Sequence, residues 1–152
     1  MTRKSLIFLA AAGSAALLTG AFLFQALGYP PCHLCLLQRW PHLVALIVGA
    51  VALRWGWRWL PWAGALAAAT SGAIGIYHTG VERKWWIGPE SCTAQRMDGL
   101  TPEQLLNQIM AAPLVRCDEA AWSLLGLSMA SWNVILSALL AALWLAAARR
   151  RP

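Results

Sequence analysis

Pro30-Pro31-Cys32-His33-Leu34-Cys35-Leu36-Leu37-Gln38-Arg39 joins two long apolar segments and holds two of the four cysteines in the chain. Cysteines spaced Cys-x-x-Cys can close a small disulfide ring and reopen it by thiolate attack. Pro30 and Pro31 cannot extend a preceding helix, and Pro31 holds the residue before it extended. The pair is therefore expected at the start of the next helix, where unpaired amides favour a thiolate. Arg39 follows Cys35 by one helical turn, so the two side chains can share a face. A c-type haem site would need histidine directly after the second cysteine, a position held by Leu36. A zinc site usually needs four closely organised ligands, whereas Cys92 and Cys117 are single and distant in sequence. Redox chemistry is the reading this leaves foremost, with metal binding and a static structural bridge as alternatives.

Working outward, the composition sets the environment. Charged residues make up 12% of the 152 positions, hydrophobic residues 59%, and ten are tryptophan, a balance that suits a small polytopic membrane protein. The uncharged run 6–27 is long enough to cross a bilayer core of about 30 Å. Thr2-Arg3-Lys4 before it resembles the basic part of a signal peptide, but the apolar run exceeds the roughly 7–15 residues of such signals, which favours a retained span. A second span over 35–53 places Gln38, Arg39 and His42 in its first turns, and polar groups at membrane depth mark functional sites. The segment Arg54-Trp55-Gly56-Trp57-Arg58 reads as an interfacial turn. A third span covers 60–79, with Gly64, Ala68 and Gly72 on one face as a packing stripe, and a fourth covers 123–148.

The single sizeable polar segment, about 80–122, lies between the last two spans. Thr101-Pro102-Glu103-Gln104 is a helix start with a capping box. Leu105, Leu106, Ile109 and Met110 follow on one side of a short helix expected to lie on the membrane interface, and Cys92 and Cys117 flank it. Trp85 and Trp86 read as part of an aromatic belt. No repeat or second domain interrupts this single integral membrane domain over 1–152.

Four spans put both termini on one side. Seven of the twelve basic residues fall there: Arg3, Lys4, Arg54, Arg58 and Arg149 to Arg151. All six acidic residues fall on the other. The positive-inside rule then makes the termini cytoplasmic and places all four cysteines on the outer, oxidising face. The net charge of +6 follows from this topology, so nucleic-acid binding is not expected. Two cysteine pairs on one face can pass electrons by thiol-disulfide exchange. With no dinucleotide or haem motif present, the acceptor would be borrowed, and a lipid-soluble quinone near Arg39 and His78 suits a site facing the bilayer.

Several spaced motifs also carry a resemblance. Cys32-His33-Leu34-Cys35-Leu36-Leu37-Gln38-Arg39, Tyr77-His78 with Gly80 and Glu82, Gly88-Pro89-Glu90-Ser91-Cys92, Val115-Arg116-Cys117-Asp118, and Leu125-Gly126-Leu127-Ser128-Met129 with Trp132-Asn133 resemble the bacterial disulfide bond formation protein B (DsbB) family along essentially the whole chain. That resemblance implies an all-α membrane protein, a four-transmembrane-helix bundle with a short interfacial helix in the second periplasmic loop, in the bacterial inner membrane. It implies a protein dithiol:quinone oxidoreductase. Cys92 would form a mixed disulfide with a thioredoxin-fold partner similar to DsbA, and Cys117 would resolve it. The Cys32–Cys35 disulfide would reoxidise the loop pair, and Cys35 would give the electrons to ubiquinone or menaquinone beside Arg39 and His78, with Met129 lining the pocket. Gln38 and His33 receive no role. The alternatives are a relative serving one dedicated partner or running toward reduction, a metal-handling membrane protein using Cys32, Cys35 and His33, and a protein with two static disulfides.

Overall fold

A computed structural model describes residues 1–90, 92, 101–111 and 115–150. Four long helices dominate: α1 (Arg3–Ala26), α2 (His33–Trp55), α3 (Leu60–Glu82) and α5 (Met129–Arg149), with the short α4 (Pro102–Ala111) between α3 and α5. Helix α1 packs on α2, α2 on α3, α3 on α5 and α5 back on α1, which closes a four-helix bundle. Helices α1, α2 and α5 are long and apolar enough to cross a membrane. Helix α3 is equally long at 23 residues but richer in small side chains. Many large apolar groups point outward, among them Phe8, Phe22, Trp40, Ile47, Leu66 and Leu139. A water-soluble bundle would bury them, whereas lipid does not penalise their exposure.

The bundle interior is small-residue packing around one aromatic. Trp144 on α5 is fully buried, and a Cβ added at Gly64 would sit about 2.5 Å from its ring. Ala68 is fully buried on the same face, and a Cβ at Gly72 would meet Ser137 at 3.3 Å. The small-residue stripe of α3 is thus the groove that receives α5.

The helix ends are set locally. The Thr2 hydroxyl accepts the Ser5 amide at 3.1 Å and caps α1. Gly56 ends α2 at φ 69°, and the buried Arg3 guanidinium donates to the Gly56 and Trp57 carbonyls at 3.1 and 2.8 Å. The capping box of α4 is formed, with the Gln104 amide donating to Thr101 Oγ1 and the Thr101 amide to Gln104 Oε1. Leu106 and Met110 on this helix are exposed; the side chains of Leu105 and Ile109 lie outside the described residues.

Boundaries differ from the sequence expectation in two places. Helix α3 runs on to Glu82, which brings His78 into the helix body and Glu82 onto its face one turn later. The final long helix begins at Met129 rather than at 123. Ser123–Leu124 pairs antiparallel with Leu127–Ser128 as a two-stranded hairpin, β1 and β2, turned by Leu125 and Gly126, both at positive φ. Two successive left-handed residues make the two-residue turn whose twist suits a hairpin. The Ser128 hydroxyl then accepts the Ser131 amide and caps α5. The leucines around the turn resemble span in composition, but this cap places the start of the helix after them.

Candidate functional site

Cys32 is the N-cap residue of α2, and its sulfur accepts the Cys35 amide at 3.2 Å. The helix start therefore fixes both thiols, as the two prolines before them imply. The Cys32 and Cys35 sulfurs are 2.8 Å apart as free thiols, while Cys92 and Cys117 form a disulfide. Cys32, Cys92 and Cys117 belong to one buried apolar cluster with Leu34 and Val81, and the partly buried Cys35 and Val115 pack against it. Cys92 and Cys117 are almost completely buried, and the Cys117 amide donates to the Cys92 carbonyl. Cys92 and Cys117 thus sit directly beside the first pair.

Next to Cys117, a surface ion pair ties Asp118 to the residues just past the end of α3. Asp118 takes a two-pronged contact from Arg116 at 3.0 and 2.8 Å and a Lys84 ammonium at 2.6 Å. Arg116 and Lys84 hold the Asp118 carboxyl well below the usual carboxylate range. Exposed pairs of this kind contribute about 0.2–1 kcal/mol each. The cross-link of 25 residues restrains the loop more, by about 3.5 kcal/mol on a chain-entropy estimate.

His78 is the pivot between the two pairs. It is buried in α3, with Nε2 3.5 Å from the Cys32 sulfur and 3.7 Å from Glu82 Oε1, and it lies near the Cys117 main chain. Ser128 donates a short hydrogen bond to Glu82. Cys32, Cys35 and His78 present atoms within 4.8 Å of one another, the spacing of a three-ligand metal set. His33 is exposed and is not among them, so the metal alternative would use His78 in its place.

An apolar pocket of about 120 Å³ opens beside Cys35. Arg39, His78, Met129, Gln38 and Phe24 are among its lining residues. The side chains singled out in the sequence around Cys35 thus meet at one cavity, drawn from α2, α3 and α5. Arg39 is also anchored to α1: it donates to Gln25 Oε1 at 2.8 Å and to the Ala21 carbonyl at 3.3 Å, and it lies 5.0 Å from the Phe22 ring. The sequence marked Gln38 and His42 as polar groups at membrane depth and Asn133 as part of a motif, but gave none of them a role; the three form a polar chain along one wall of the pocket. Gln38 Nε2 meets His78 Nδ1 at 2.9 Å, Asn133 Nδ2 meets Gln38 Oε1 at 2.8 Å, and His42 Nε2 meets Asn133 Oδ1 at 3.0 Å. The available signal was polarity within apolar helices, which is costly unless used or paired.

The sequence profile of the family described as "Disulfide bond formation protein DsbB" matches residues 3–147. The chain is 31% identical to disulfide bond formation protein B of Verminephrobacter eiseniae over 95% of its length and 84% of that relative's. It is 30% identical to the protein of the same name from Paracidovorax citrulli, over 99% of this chain and 89% of that one. A third such protein, from an Acidovorax species, is 31% identical over 94% and 85% of the two chains. No solved structure matches the chain. A profile match across nearly every residue, joined to a helical bundle that gathers both cysteine pairs at one end, establishes that the chain belongs to the DsbB family and is a multi-pass membrane protein of disulfide bond formation.

Proposed function

We propose that this protein oxidises a soluble, thioredoxin-fold dithiol similar to DsbA and passes the electrons through its two cysteine pairs to a membrane quinone. The observation that carries the reading is the gathering of both pairs at one cluster, with Cys35 alone of the four lining the pocket beside Arg39. Exchange between pairs needs contact between sulfurs, and delivery to a lipid-soluble acceptor needs one sulfur at an apolar opening.

The relay balances as follows. A partner thiolate attacks Cys92 of the Cys92–Cys117 disulfide, a mixed disulfide forms at Cys92, and Cys117 leaves as the thiolate. The partner's second thiol then displaces Cys92, which completes the partner's disulfide and leaves the loop pair reduced. Exchange with a Cys32–Cys35 disulfide restores Cys92–Cys117 and moves two electrons to Cys32 and Cys35. One closed loop disulfide beside two free thiols is the state that follows this internal exchange. Because Cys92 is buried here, partner attack requires its sulfur to leave the cluster.

The pocket suits a quinone in its chemistry: apolar walls for the ring, and a guanidinium and an imidazole among the lining groups that would meet its oxygens. A bound quinone supplies a two-electron, two-proton acceptor. Arg39 would hold a quinone oxygen and balance negative charge on it, and Met129 would line the ring's side of the pocket. Charge sidedness supports cytoplasmic termini, a periplasmic site and α3 as the fourth span. Metal capture by Cys32, Cys35 and His78 is the second reading, favoured by their mutual spacing.

Trapping tests the entry point. In Cys117→Ala, the free Cys92 thiolate should displace thionitrobenzoate from a thioredoxin-fold partner that keeps only its attacking cysteine, carried as the thionitrobenzoate mixed disulfide, and the resulting Cys92–partner disulfide should accumulate and be visible by non-reducing electrophoresis. Accumulation through Cys32 or Cys35 instead would overturn the order of the relay.

A further inference from the structure

The polar chain along the pocket wall has a direction, and backbone carbonyls fix it. Gln38 Nε2 lies 3.1 Å from the Leu34 carbonyl, which can only accept, so that atom is the amide nitrogen. Its 2.9 Å contact with His78 Nδ1 is therefore a donation to an unprotonated Nδ1. Asn133 Nδ2 is fixed the same way by the Ser71 carbonyl at 3.3 Å, so Asn133 donates to Gln38 Oε1 and its Oδ1 accepts from His42 Nε2. The Ser14 hydroxyl lies 3.4 Å from His42 Nδ1, the remaining acceptor on that ring. Every donor in the chain thus points the same way, from Ser14 through His42, Asn133 and Gln38 to His78. The His78 proton is left on Nε2, the nitrogen that faces the Cys32 sulfur at 3.5 Å and, farther off at 3.7 Å, Glu82 Oε1. Beyond it the Cys32 thiol donates to the Cys35 sulfur.

We infer that Gln38, held in orientation by Asn133, is a positioning residue that locks His78 as its Nε2–H tautomer, so that a one-way hydrogen-bond chain ends on the Cys35 sulfur. Such a chain polarises toward its terminus and stabilises negative charge there, where a dithiol must present a thiolate to react. A glutamate at position 38 would only accept, and would draw the His78 proton to Nδ1. The lock also removes the Nε2 lone pair that a metal would need, so the same amide that prepares the dithiol guards it against metal capture.

The inference rests on the reading of Cys32 and Cys35 as a working dithiol, but its test uses neither quinone nor partner. Nitrogen-15 NMR of the full-length reduced protein in detergent, labelled at its three histidines and assigned with His78→Asn, reads the tautomer directly. His78 should show a protonated Nε2 and an unprotonated Nδ1 in the wild type, and the reverse in Gln38→Glu. Alkylation of Cys35 at pH 7, followed by peptide mass spectrometry, should slow about tenfold in Gln38→Glu, and zinc affinity of the reduced variant should rise by a similar factor. Loss of Gln38 packing alone would not swap the two nitrogen signals. A wild-type His78 protonated on Nδ1, or a Gln38→Glu variant that keeps Nε2–H, would overturn the lock; this wild-type spectrum decides the matter even where the variant fails to fold. An exchanged tautomer with unchanged Cys35 alkylation would overturn the link from His78 to the dithiol.

Discussion

Arg39 shows what one side chain does at this site. Its guanidinium spans from α2 to the Gln25 side chain and Ala21 carbonyl of α1 while lining the Cys35 pocket. Removing it should cost acceptor binding more than folding: Arg39→Ala should raise the apparent KM for quinone about tenfold, the worth of one charge-assisted hydrogen bond at roughly 1.4 kcal/mol. Steady-state kinetics alongside a melting curve separates the two effects, and an unchanged KM would remove Arg39 from the acceptor site. At this scale the sequence was readable where spacing is local. Cys32, Cys35 and Arg39 lie within two turns of one helix, and the preceding prolines fix where that helix starts. Gln38, His42 and Asn133 were opaque because their roles arise only when α2, α3 and α5 meet, and no spacing along one helix encodes such a meeting.

Among elements, the seam between α3 and α5 determines whether the pocket walls come together. Gly64→Val would push a branched side chain into the Trp144 ring, an overpacking that should cost about 1–3 kcal/mol and lower the melting temperature in detergent. Gly20 on α1 has nothing within 4 Å of an added Cβ, so Gly20→Ala should leave that temperature unchanged or slightly raised. Equal effects from the two would mean that the stripe is not the packing surface. The stripe and the capping box of α4 were legible because both are short patterns with a local physical cause. The start of α5 was not, since Leu124, Leu125 and Leu127 carry the composition of a span while Gly126 and the Ser128 cap shape a hairpin. Hydropathy averages over such a turn and so extends the helix through it.

For the whole molecule, charge sidedness and the clustering of four cysteines point to one oriented device. A cysteine introduced at the exposed Ile87 of a cysteine-free variant should react with a membrane-impermeant maleimide added outside inner-membrane spheroplasts, whereas one at the exposed Trp57 should react only after the membrane is opened. The opposite pattern would reverse the proposed orientation. Bundle class was legible because four long apolar runs leave few other folds, and the function class because spaced cysteine motifs survive along the entire chain. The central claim is that electrons entering at Cys92 leave through Cys35 to a quinone. Its most direct measurement is quinone reduction, followed by ultraviolet absorbance, by the purified protein in detergent with a reduced thioredoxin-fold dithiol as donor. The account predicts turnover that disappears in Cys35→Ser; absence of turnover with both ubiquinone and menaquinone, or full activity in Cys35→Ser, would contradict it.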